Sequence, residues 1–464
     1  MLKQTVFVCF GFLLLCCSVL GAQLLSVPMV GHTTEDSAMI WVETDRSAEV
    51  KVLYWQEPRV QYQRSLGEPI SRGSATGHTS SASPHTGVVQ LSGLNPGWLI
   101  YYELEIDGQA VRPLTPQVFS LMPPGLRRGE ETRPADFSVA FASCMFPARV
   151  PVQPIWDQIG AYRPDALLLI GDNNYMPNHP AAYETDVETV SFAMARYHRY
   201  LRDVPGLRSL LATTPSYGIW DDHDYGPDNS DRTFKWRELT LDLFRRYYPN
   251  PSAGLEEVPG IFTSFRIGDA EFFLLDDRYH RDPNNAEDRK TMFGQGQLEW
   301  LKERLEQSGA IFKIIVNGSS MLVDRQGSGE YWANFGEERD RFIEWMHDRE
   351  INGVLFVVGD WHVGTMSRLY RPGDKYPLYE LLTSNAAVRP AHSSPEYGQG
   401  HARFHQFVGP EYLGFNFGLI RFEGEPGMRT ATLQIIDDEG TARISLTLKE
   451  SELTAQWNGE RPQD

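Results

Sequence analysis

The stretch ALLLIGDNNY, residues 166–175, places a wholly apolar run directly before a glycine and an aspartate. An apolar run without polar alternation is typical of a short strand that is buried on both faces of a sheet. Five further apolar runs between residues 137 and 358 also end in polar residues, and helical patterns separate them. This order predicts a layered α/β domain whose polar residues gather at the carboxyl ends of the strands.

Residues 23–123 show a different pattern, in which polar and apolar side chains alternate with a period of two. Ile100 and Tyr102, for example, would share one face of a strand. The sequence Leu94-Asn95-Pro96-Gly97, followed by Tyr101 and Tyr102, is similar to the tyrosine corner of immunoglobulin-like and fibronectin type III sandwiches. We therefore expect an all-β sandwich in this part of the chain.

The chain begins with a candidate targeting segment, in which Lys3 precedes an apolar run over residues 6–20 and the small residues Gly21 and Ala22. A cleaved signal peptide has this order of a basic, an apolar and a small-residue region. A membrane anchor is the alternative, but the apolar run is shorter than the roughly 20 residues that span a bilayer. We expect export to the periplasm or the cell exterior, a mature chain that starts near Gln23, and no stable membrane span after cleavage.

A segment rich in Pro, Gly and Arg separates the two patterns and has no periodic apolar face. The predicted division is a signal peptide over 1–22, a β-sandwich over 23–123, a linker over 124–135 and an α/β domain over 136–464. The sequence contains neither an internal repeat nor a low-complexity tract.

The overall charge limits the classes of partner. The sequence has 61 acidic residues against 43 basic ones, a formal net charge of −18 at pH 7. Such an excess disfavours non-specific binding to nucleic acids or anionic membranes, and it suits cation binding or plain solubility. Because 41% of the residues are hydrophobic and 22% are charged, the chain is also too apolar for an intrinsically disordered protein.

Cys144 is the only cysteine that the expected signal cleavage would leave in the chain. A lone thiol forms no internal disulfide, so in an oxidising compartment three roles are open to it. It is buried and inert, it pairs with another chain, or it serves as a thiolate ligand of a metal.

The polar residues at the predicted strand ends are of the types that bind metals or transfer protons. Carboxylates and imidazoles without a second cysteine fit a two-metal hydrolytic site better than a structural zinc cage. Taken singly, the acids after residue 220 would more often form a solvated loop, and a tyrosine would more often be a packing residue. As a set, the candidates are Cys144, Asp172, Tyr175, Asp222, His223, Asp360 and His362.

Several motifs are similar to those of a known family. Gly171-Asp172-Asn173-Asn174-Tyr175 resembles the Gly-Asp-x-x-Tyr motif of purple-acid-phosphatase-like metallophosphoesterases. Trp220-Asp221-Asp222-His223-Asp224 and Gly359-Asp360-Trp361-His362 resemble the PhoD, or alkaline phosphatase D, branch, and Phe141-Ala142-Ser143-Cys144 completes the likeness. The resemblance implies a PhoD-type N-terminal β-sandwich followed by a metallophosphatase α/β/β/α sandwich.

The same resemblance implies two metal ions, an iron(III) and a calcium(II), with Asp172 as the bridge between them. Calcium agrees with an all-oxygen ligand set, whereas a phenolate and a thiolate suit a trivalent iron. The ligands implied for iron are Cys144, Asp172, Tyr175 and His362, and those implied for calcium are Asp172, Asp222 and Asp360.

Two further residues receive catalytic roles from the resemblance. His223 is implied beside the leaving oxygen of a phosphate ester, as a general acid or as a charge stabiliser. Arg278, in the weaker match Leu275-Asp276-Asp277-Arg278, is either a phosphate anchor or a structural arginine.

The chain departs from the wider superfamily at residues 317–320, which contain no histidine ligand. Asn317 would substitute there through its carbonyl oxygen. Asp224 stands where glutamate is common in the branch, and whether Asp228 or Asn229 adds to the calcium site stays open.

The sequence predicts a secreted phosphoric ester hydrolase, a phosphomonoesterase or phosphodiesterase that uses a metal-activated hydroxide. A hydrolase of phospholipid headgroups or wall polymers on the same metal site is the first alternative, and a non-catalytic surface-binding protein is the second. We expect a phosphate-ester substrate, no nucleic-acid carrier role and a monomeric chain.

Overall fold

A computed structural model of the chain describes residues 21–58, 71–113, 115, 117–121, 135–177, 179–287, 289–323, 330–388 and 404–460. Most of the predicted signal peptide and most of the predicted linker lie outside these ranges, so the three boundaries of the division stay predictions. Within the described ranges, no helix combines the length and the apolar character that a membrane crossing requires.

The N-terminal part is all-β, as the period-two pattern predicts. Its described strands are β1 (Met29–Thr33), β2 (Ser37–Thr44), β3 (Glu49–Pro58), β4 (Ser71–His78), β5 (His85–Ser92), β6 (Trp98–Ile106), β7 (Gln109–Ala110) and β8 (Val118–Ser120). One sheet has the order β1-β2-β5, and the other has the order β4-β3-β6-β7 with β8 beside β6. Side chains from both sheets, such as Ile40 and Ile100, are fully buried in a core of their own.

The tyrosine-corner prediction is wrong for Tyr102. This residue is buried, but its hydroxyl donates to the backbone carbonyl of Ala212, far along the chain, at 3.0 Å. A tyrosine corner would direct the hydroxyl to nearby backbone within the sandwich. Trp41 likewise donates from Nε1 to the carbonyl of Arg246 at 2.6 Å. These hydrogen bonds join the N-terminal sandwich to the part of the chain that follows.

The α/β part starts at residue 137. Its described strands are β9 (Phe137–Ala142), β10 (Ala166–Ile170), β11 (Ser216–Ile219), β12 (Thr263–Ile267), β13 (Ala270–Leu274), β14 (Phe312–Asn317), β15 (Val354–Val358), β16 (Gly364–Leu369), β17 (Leu378–Thr383), β18 (His405–Phe407), β19 (Asn416–Glu423), β20 (Thr430–Asp437) and β21 (Ala442–Lys449). Its described α-helices are α1 (Ile155–Tyr162), α2 (Val187–Arg202), α3 (Pro205–Thr213), α4 (Asp222–Tyr225), α5 (Arg237–Tyr247), α6 (Gln295–Gln307) and α7 (Gly336–Asp348).

Two mixed sheets face each other in this part. One has the strand order β11-β10-β9-β19-β20-β21, and the other has the order β12-β13-β14-β15-β17-β16-β18. Phe422 of β19 packs across the interface against Phe312 of β14, with ring centroids 5.2 Å apart. Helices pack outside the sheets through single apolar faces, as Leu301 and Leu305 of α6 illustrate. The predicted sandwich of two sheets between helices is confirmed.

The strand directions bring the predicted ligand loops together. β9, β10 and β11 run parallel in one sheet, and β13, β14, β15 and β17 run parallel in the other. Ser143, directly after β9, donates from Oγ to the carbonyl of Thr383 at the end of β17 at 2.9 Å. The carboxyl ends of the two parallel sets therefore meet at one edge of the sandwich.

Candidate metal centre

The loops after β9, β10 and β15 hold four of the predicted ligands in an uncommon backbone conformation. Cys144, Asp172, Asp360 and His362 have φ angles of 58°, 51°, 78° and 54°. Non-glycine residues seldom occupy this left-handed region, which costs roughly 1–3 kcal/mol each and is found mainly at functional sites. Surrounding structure must therefore hold these four residues in place.

Two glycines let the ligand loops approach each other closely. Gly171 has a φ of 97°, and a Cβ there would lie 2.7 Å from the Cβ of Asp221. A Cβ at Gly359 would lie 2.7 Å from the Oγ of Ser143. Because real Cβ atoms do not come this close, a side chain at either glycine would push neighbouring loops apart.

The four residues implied as iron ligands form one compact group. Tyr175 donates from its hydroxyl to Oδ2 of Asp172 at 3.0 Å, and the same hydroxyl lies 3.0 Å from Nε2 of His362. Sγ of Cys144 lies 3.5 Å from the same Asp172 oxygen. Donor atoms of Cys144, Asp172 and His362 all lie within 4.8 Å of one another. The structure thus brings this group together as expected.

Asp172 also belongs to a second group of close donor atoms. The sets whose atoms lie within 4.8 Å of one another are Asp172, Asp222 and His223, and Asp172, Asp221 and Asp360. Asp222 is anchored from the backbone, because the N–H groups of His223 and Asn229 donate to its carboxylate at 2.8 and 2.6 Å. Asp172 is common to both groups, which is the position of a bridge.

Two buried side-chain oxygen atoms in this region lack a partner from the described protein. Asp172 Oδ1 and Asn317 Oδ1 are buried and have no hydrogen-bond partner among the described residues. Burial, together with the charges of Cys144 and Asp222, raises the pKa of Asp172 well above its usual range. Burial likewise raises the pKa of Asp360. Buried carboxylates without compensation are costly, so the donor set fits a bound cation.

The surroundings of Cys144 favour the thiolate. Burial opposes ionisation, but the charge and hydrogen bond of His362, with hydroxyls of Ser384 and Ser143, outweigh it and lower the pKa of the thiol to about 6. The Ser384 hydroxyl donates to Sγ at 3.0 Å. A thiolate is the form that binds metals. The full burial of Cys144 is incompatible with pairing to another chain.

Asn317 lies at the end of β14. Its side-chain amide donates to Asp277 at 3.2 Å and to the carbonyl of Ser319 at 2.8 Å. These two bonds identify the donor end of the amide, so the unsatisfied atom is the carbonyl oxygen. Within the described ranges, Asp228 does not belong to the groups of close histidine, cysteine and carboxylate donor atoms.

Asp224 organises the loop after β10. Its carboxylate accepts from the backbone N–H groups of Asn173 and Asn174 at 3.1 and 2.7 Å, and from that of Asp221 at 3.1 Å. The side-chain amides of both asparagines also donate to it at 3.2 Å. Burial raises the pKa of Asp224 to about 7 against the opposing effect of these bonds. Asp224 therefore ties the loops after β10 and β11 together.

His223 is the only histidine of the second group, where it lies close to Asp172 and Asp222. Its ring centroid lies 4.3 Å from that of Tyr175, and its Nε2 lies 3.6 Å from Oδ1 of Asp228. The side chain is 14% exposed. Its Nδ1 is buried and has no hydrogen-bond partner within the described part of the chain. The imidazole is thus held at the edge of the centre with one ring nitrogen that no protein group satisfies.

Arg278 lies in a neighbouring buried cluster. Its guanidinium donates to the carboxylates of Asp221 and Glu330. It also donates to Oγ of Ser319 at 3.0 Å and to the carbonyl of Ser230 at 3.4 Å. These acceptors engage all five N–H groups of a fully buried side chain. Burial alone would lower the pKa of Arg278, but the charges of the neighbouring carboxylates raise it.

Glu330 is a member of this cluster that the sequence did not reveal. It follows no apolar strand and belongs to none of the recognised motifs. Its carboxylate is buried and shares Arg278 with Asp221, although the two acids are far apart in the chain. Only the contact in three dimensions identifies it.

Two sheets that bring carboxylates, a thiol, a phenol and an imidazole to one edge define a protein of the metallophosphoesterase class. The chain belongs to the PhoD-like phosphatase family, whose model matches residues 139–403. This membership implies a metal cofactor. Residues 21–123 match a family described as a domain of unknown function, DUF7800.

Individual proteins support the same assignment. The chain is 22% identical over 357 residues to alkaline phosphatase D of Bacillus subtilis (strain 168), a match that covers 68% of this chain and 59% of the relative, which is less than two thirds of its length. A solved structure of PhoD is 18% identical, with a TM-score of 0.70 and coverage of 94% of this chain and 92% of that one. Purple acid phosphatase PPD1 from yellow lupin (Lupinus luteus) seeds is 12% identical, with a TM-score of 0.62 and coverage of 91% and 74%. These two likenesses confirm the metallophosphatase fold.

Proposed function

We propose that the chain is a metal-dependent phosphoric ester hydrolase that acts on phosphomonoesters or phosphodiesters. The observation that carries the proposal is the shared position of Asp172, which contacts both groups of donor atoms and has an unsatisfied buried oxygen. Membership of a phosphatase family supports the reaction class. The low identity to the curated relative leaves the ester itself open.

In this proposal, iron(III) and calcium are the two metals. The thiol, the phenol and the imidazole of the first group suit a trivalent iron, and the carboxylates of the second group, which are oxygen donors, suit calcium. Asn317 Oδ1, which is buried and has no partner among the described residues, is an additional candidate oxygen donor. The iron ligands are Cys144, Asp172, Tyr175 and His362, and the calcium ligands are Asp172, Asp222 and Asp360.

A bound metal pair supplies a water whose pKa falls to about 7, together with charge that stabilises the phosphoryl oxygens. The protein contributes orientation and proton transfer. Asp224 and the backbone N–H groups around Asp222 hold the acids in place before a substrate arrives. No side chain needs to form a covalent intermediate with the phosphoryl group.

His223 acts on the leaving oxygen in this scheme. Tyr175 holds its ring at 4.3 Å, next to the proposed ligands, and its Nδ1 is not engaged by a described protein group. An imidazolium at this position can donate a proton to the departing oxygen as the phosphorus–oxygen bond breaks. The same group would stabilise the charge on that oxygen if the proton comes later.

Arg278 is a positioning residue in this proposal and does not touch the phosphate. Its five N–H groups already have protein acceptors, and the side chain is fully buried. By holding Asp221 and Glu330, it fixes the loop that carries Asp222. Of the two roles that the sequence leaves open for Arg278, a phosphate anchor or a structural arginine, we propose the structural one.

Metal analysis and turnover test the proposal together. The purified protein should contain about one iron and at least one calcium per chain. It should hydrolyse 4-nitrophenyl phosphate or bis(4-nitrophenyl) phosphate and should lose that activity with a chelator. Zinc as the sole metal would overturn the iron and calcium assignment, and a metal-loaded protein inactive on both esters would overturn the hydrolase.

The thiolate ligand has a separate optical test. A ferric ion bound to phenolate or thiolate absorbs visible light, so the concentrated protein should be coloured. Cys144→Ser, which changes one atom, should shift or bleach the band and lower kcat sharply. A variant with the same colour and full activity would make Cys144 a buried core residue.

We propose that the chain is exported as well, on the evidence of its first 22 residues. The backbone N–H of Gln23, where the mature chain would begin, donates to Asp45 at 2.9 Å. Mass spectrometry of the protein from the host should find an N-terminus within a few residues of Gln23. A retained Met1 would refute cleavage.

A further inference from the structure

A row of stacked side chains leads from the candidate metal centre to the protein surface. The ring of Tyr175 lies 4.3 Å from His223 and 4.7 Å from Phe146, with the Phe146 ring nearly parallel to it. The guanidinium carbon of Arg149 lies 5.0 Å from the centroid of Phe146. Arg149 is exposed and forms the outer end of this row. Arg149 therefore stands at the mouth of the centre.

Arg149 is not engaged by an acid in the described part of the chain. Its described contacts are the stack on Phe146 and a backbone hydrogen bond from its own N–H to the carbonyl of that residue. Stacking on a ring holds the planar guanidinium in one orientation while its five N–H donors stay available to an anion.

A groove with a volume of about 620 Å³ borders Ala148, the residue that precedes Arg149 in the chain. Ala148 and Pro177, which flank the ligand loops, form one side of it, and Arg196 and Tyr200 of α2 form part of the other. Arg196 is exposed and has no acidic partner among the described residues. The remaining lining residues are Ala193, Tyr197, Arg199, which is paired with Glu43, and Asp203.

We propose that Arg149 and Arg196 form a subsite for a second phosphate group, carried by the leaving group of the ester that the centre hydrolyses. The inference rests on the proposed function and adds the class of substrate to it. Guanidinium groups bind phosphate oxygens through paired hydrogen bonds, and the groove offers room for the atoms between the two phosphates. The tyrosines of α2 would pack along that connecting part.

Two substrates that differ by one phosphate test the subsite. Hexane-1,6-diol monophosphate and hexane-1,6-diol bisphosphate share a chain, so the second phosphate alone separates them. In the metal-loaded full chain, kcat/KM should be higher for the bisphosphate, and salt should reduce that preference. Arg149→Ala should lower kcat/KM for the bisphosphate about tenfold and for the monophosphate less than threefold.

Further arginine variants test whether the effect is specific to Arg149 and Arg196 or follows from the loss of any surface arginine. Arg196→Ala, like Arg149→Ala, should reduce the preference for the bisphosphate over the monophosphate. Arg149→Lys should retain part of this preference because the positive charge remains. Arg349→Ala is the control, since Arg349 is an exposed arginine paired with Glu306 at the opposite end of the strands. Equal losses on both substrates in Arg149→Ala, or no loss on either, would overturn the subsite.

Binding measurements distinguish failure of the subsite from failure of the proposed function. Calorimetry of the unaltered protein with each compound reports binding without turnover. If neither compound is hydrolysed but the bisphosphate binds through Arg149, the hydrolase proposal falls and the subsite stands. If both are hydrolysed with equal KM, the subsite falls and the hydrolase stands.

Discussion

Two clusters of buried charge lie side by side in this protein, and they are neutralised in opposite ways. Around Arg278, the carboxylates of Asp221 and Glu330 share one guanidinium, so the cluster contains its own counter-charge. Around Asp172, the carboxylates of Asp222 and Asp360 form no ion pair with an arginine or lysine of the described chain. The comparison teaches that the second cluster lacks the protein counter-charge that the first one has, and it is the one that fits a bound cation.

The backbone shows the same contrast. Asp172 and Asp360, in the second cluster, have positive φ angles, whereas Asp221 has an extended φ of −131°. Neither Arg278 nor Glu330 is among the residues of positive φ. Backbone strain is therefore found at the proposed metal ligands, whereas the cluster around Arg278 has ordinary backbone conformations.

Asp172→Asn should have the largest effect on this contrast. The shared carboxylate would be lost, so we expect kcat/KM to fall by about 10⁴-fold or more, with loss of bound metal. The metal-free variant should nevertheless resist urea better than the metal-free parent, because an unpaired buried charge is removed. Asp157→Asn, an exposed aspartate on α1, is the control and should keep full activity. A variant whose kcat/KM lies within tenfold of the parent value would contradict the proposal that Asp172 is a bridging ligand.

His223→Ala should come next, and it separates a proton donor from a ligand. We expect kcat to fall by about 10²-fold to 10⁴-fold on an alkyl phosphate ester, and by less on an aryl ester with a better leaving group. Metal content should stay unchanged in the same samples. His78→Ala, at an exposed histidine of β4, serves as the control. Equal small losses on both esters would reject the acid role, and an emptied centre would make His223 a ligand.

Arg278→Ala should reduce the stability of the fold more than the catalytic activity. It leaves Asp221 and Glu330 buried without a counter-charge, so the free energy of unfolding should fall by about 3–5 kcal/mol with or without metal. Burial raises the pKa of Asp221 well above its unfolded value, and Arg278 opposes that rise. Without the arginine, Asp221 in the folded state binds a proton at pH values where it is ionised in the unfolded state. The loss of unfolding free energy relative to the parent should therefore grow as the pH increases above about 4.

The matched control for that experiment is Arg341→Ala, which breaks an exposed pair with Glu337 on α7. Such a pair is worth less than about 0.5 kcal/mol. Urea unfolding at pH 5 and pH 8 measures both variants. Equal stability of the two at both pH values would mean that the Arg278 cluster is not neutralised as we describe.

Metal removal should have the smallest effect on the folded protein. A cation that binds only the folded state stabilises it by about 2.7 kcal/mol at a free concentration one hundred times its Kd. A chelator should therefore lower the Tm of the parent, and added iron and calcium should restore it. Asp172→Asn should show little of this shift. An unchanged Tm in the parent would contradict the view that the second cluster depends on an external cation.

Local sequence patterns were sufficient to predict the strands and their polar ends. The apolar runs over 166–170 and 354–358 match β10 and β15. These features depend on the order of apolar and polar residues within a few positions. The tyrosine-corner prediction failed because the partner of Tyr102 lies 110 residues away.

The residues around the predicted ligands could not be found in the same way. Ser384, which donates to Cys144, is 240 residues from it in the chain, and Glu330 is 52 residues from Arg278. Phe146 and Arg149 are near Cys144 in sequence, but their stack depends on Tyr175 from another loop. Nothing in the spacing of these residues distinguishes them from other polar or aromatic side chains.

The sequence by itself determined which strands form, where each one ends and which types of ligand stand at those ends, because hydrophobic burial and strand period are local properties. Only the tertiary structure decided which acids receive a counter-charge from the protein and which do not. That distinction depends on distances between loops from different strands, and electrostatic energy in a buried site changes with those distances. Asp221 and Asp222 are adjacent in the chain and both lie among the close donor atoms of the centre, yet the described hydrogen bonds of Arg278 reach Asp221 and not Asp222.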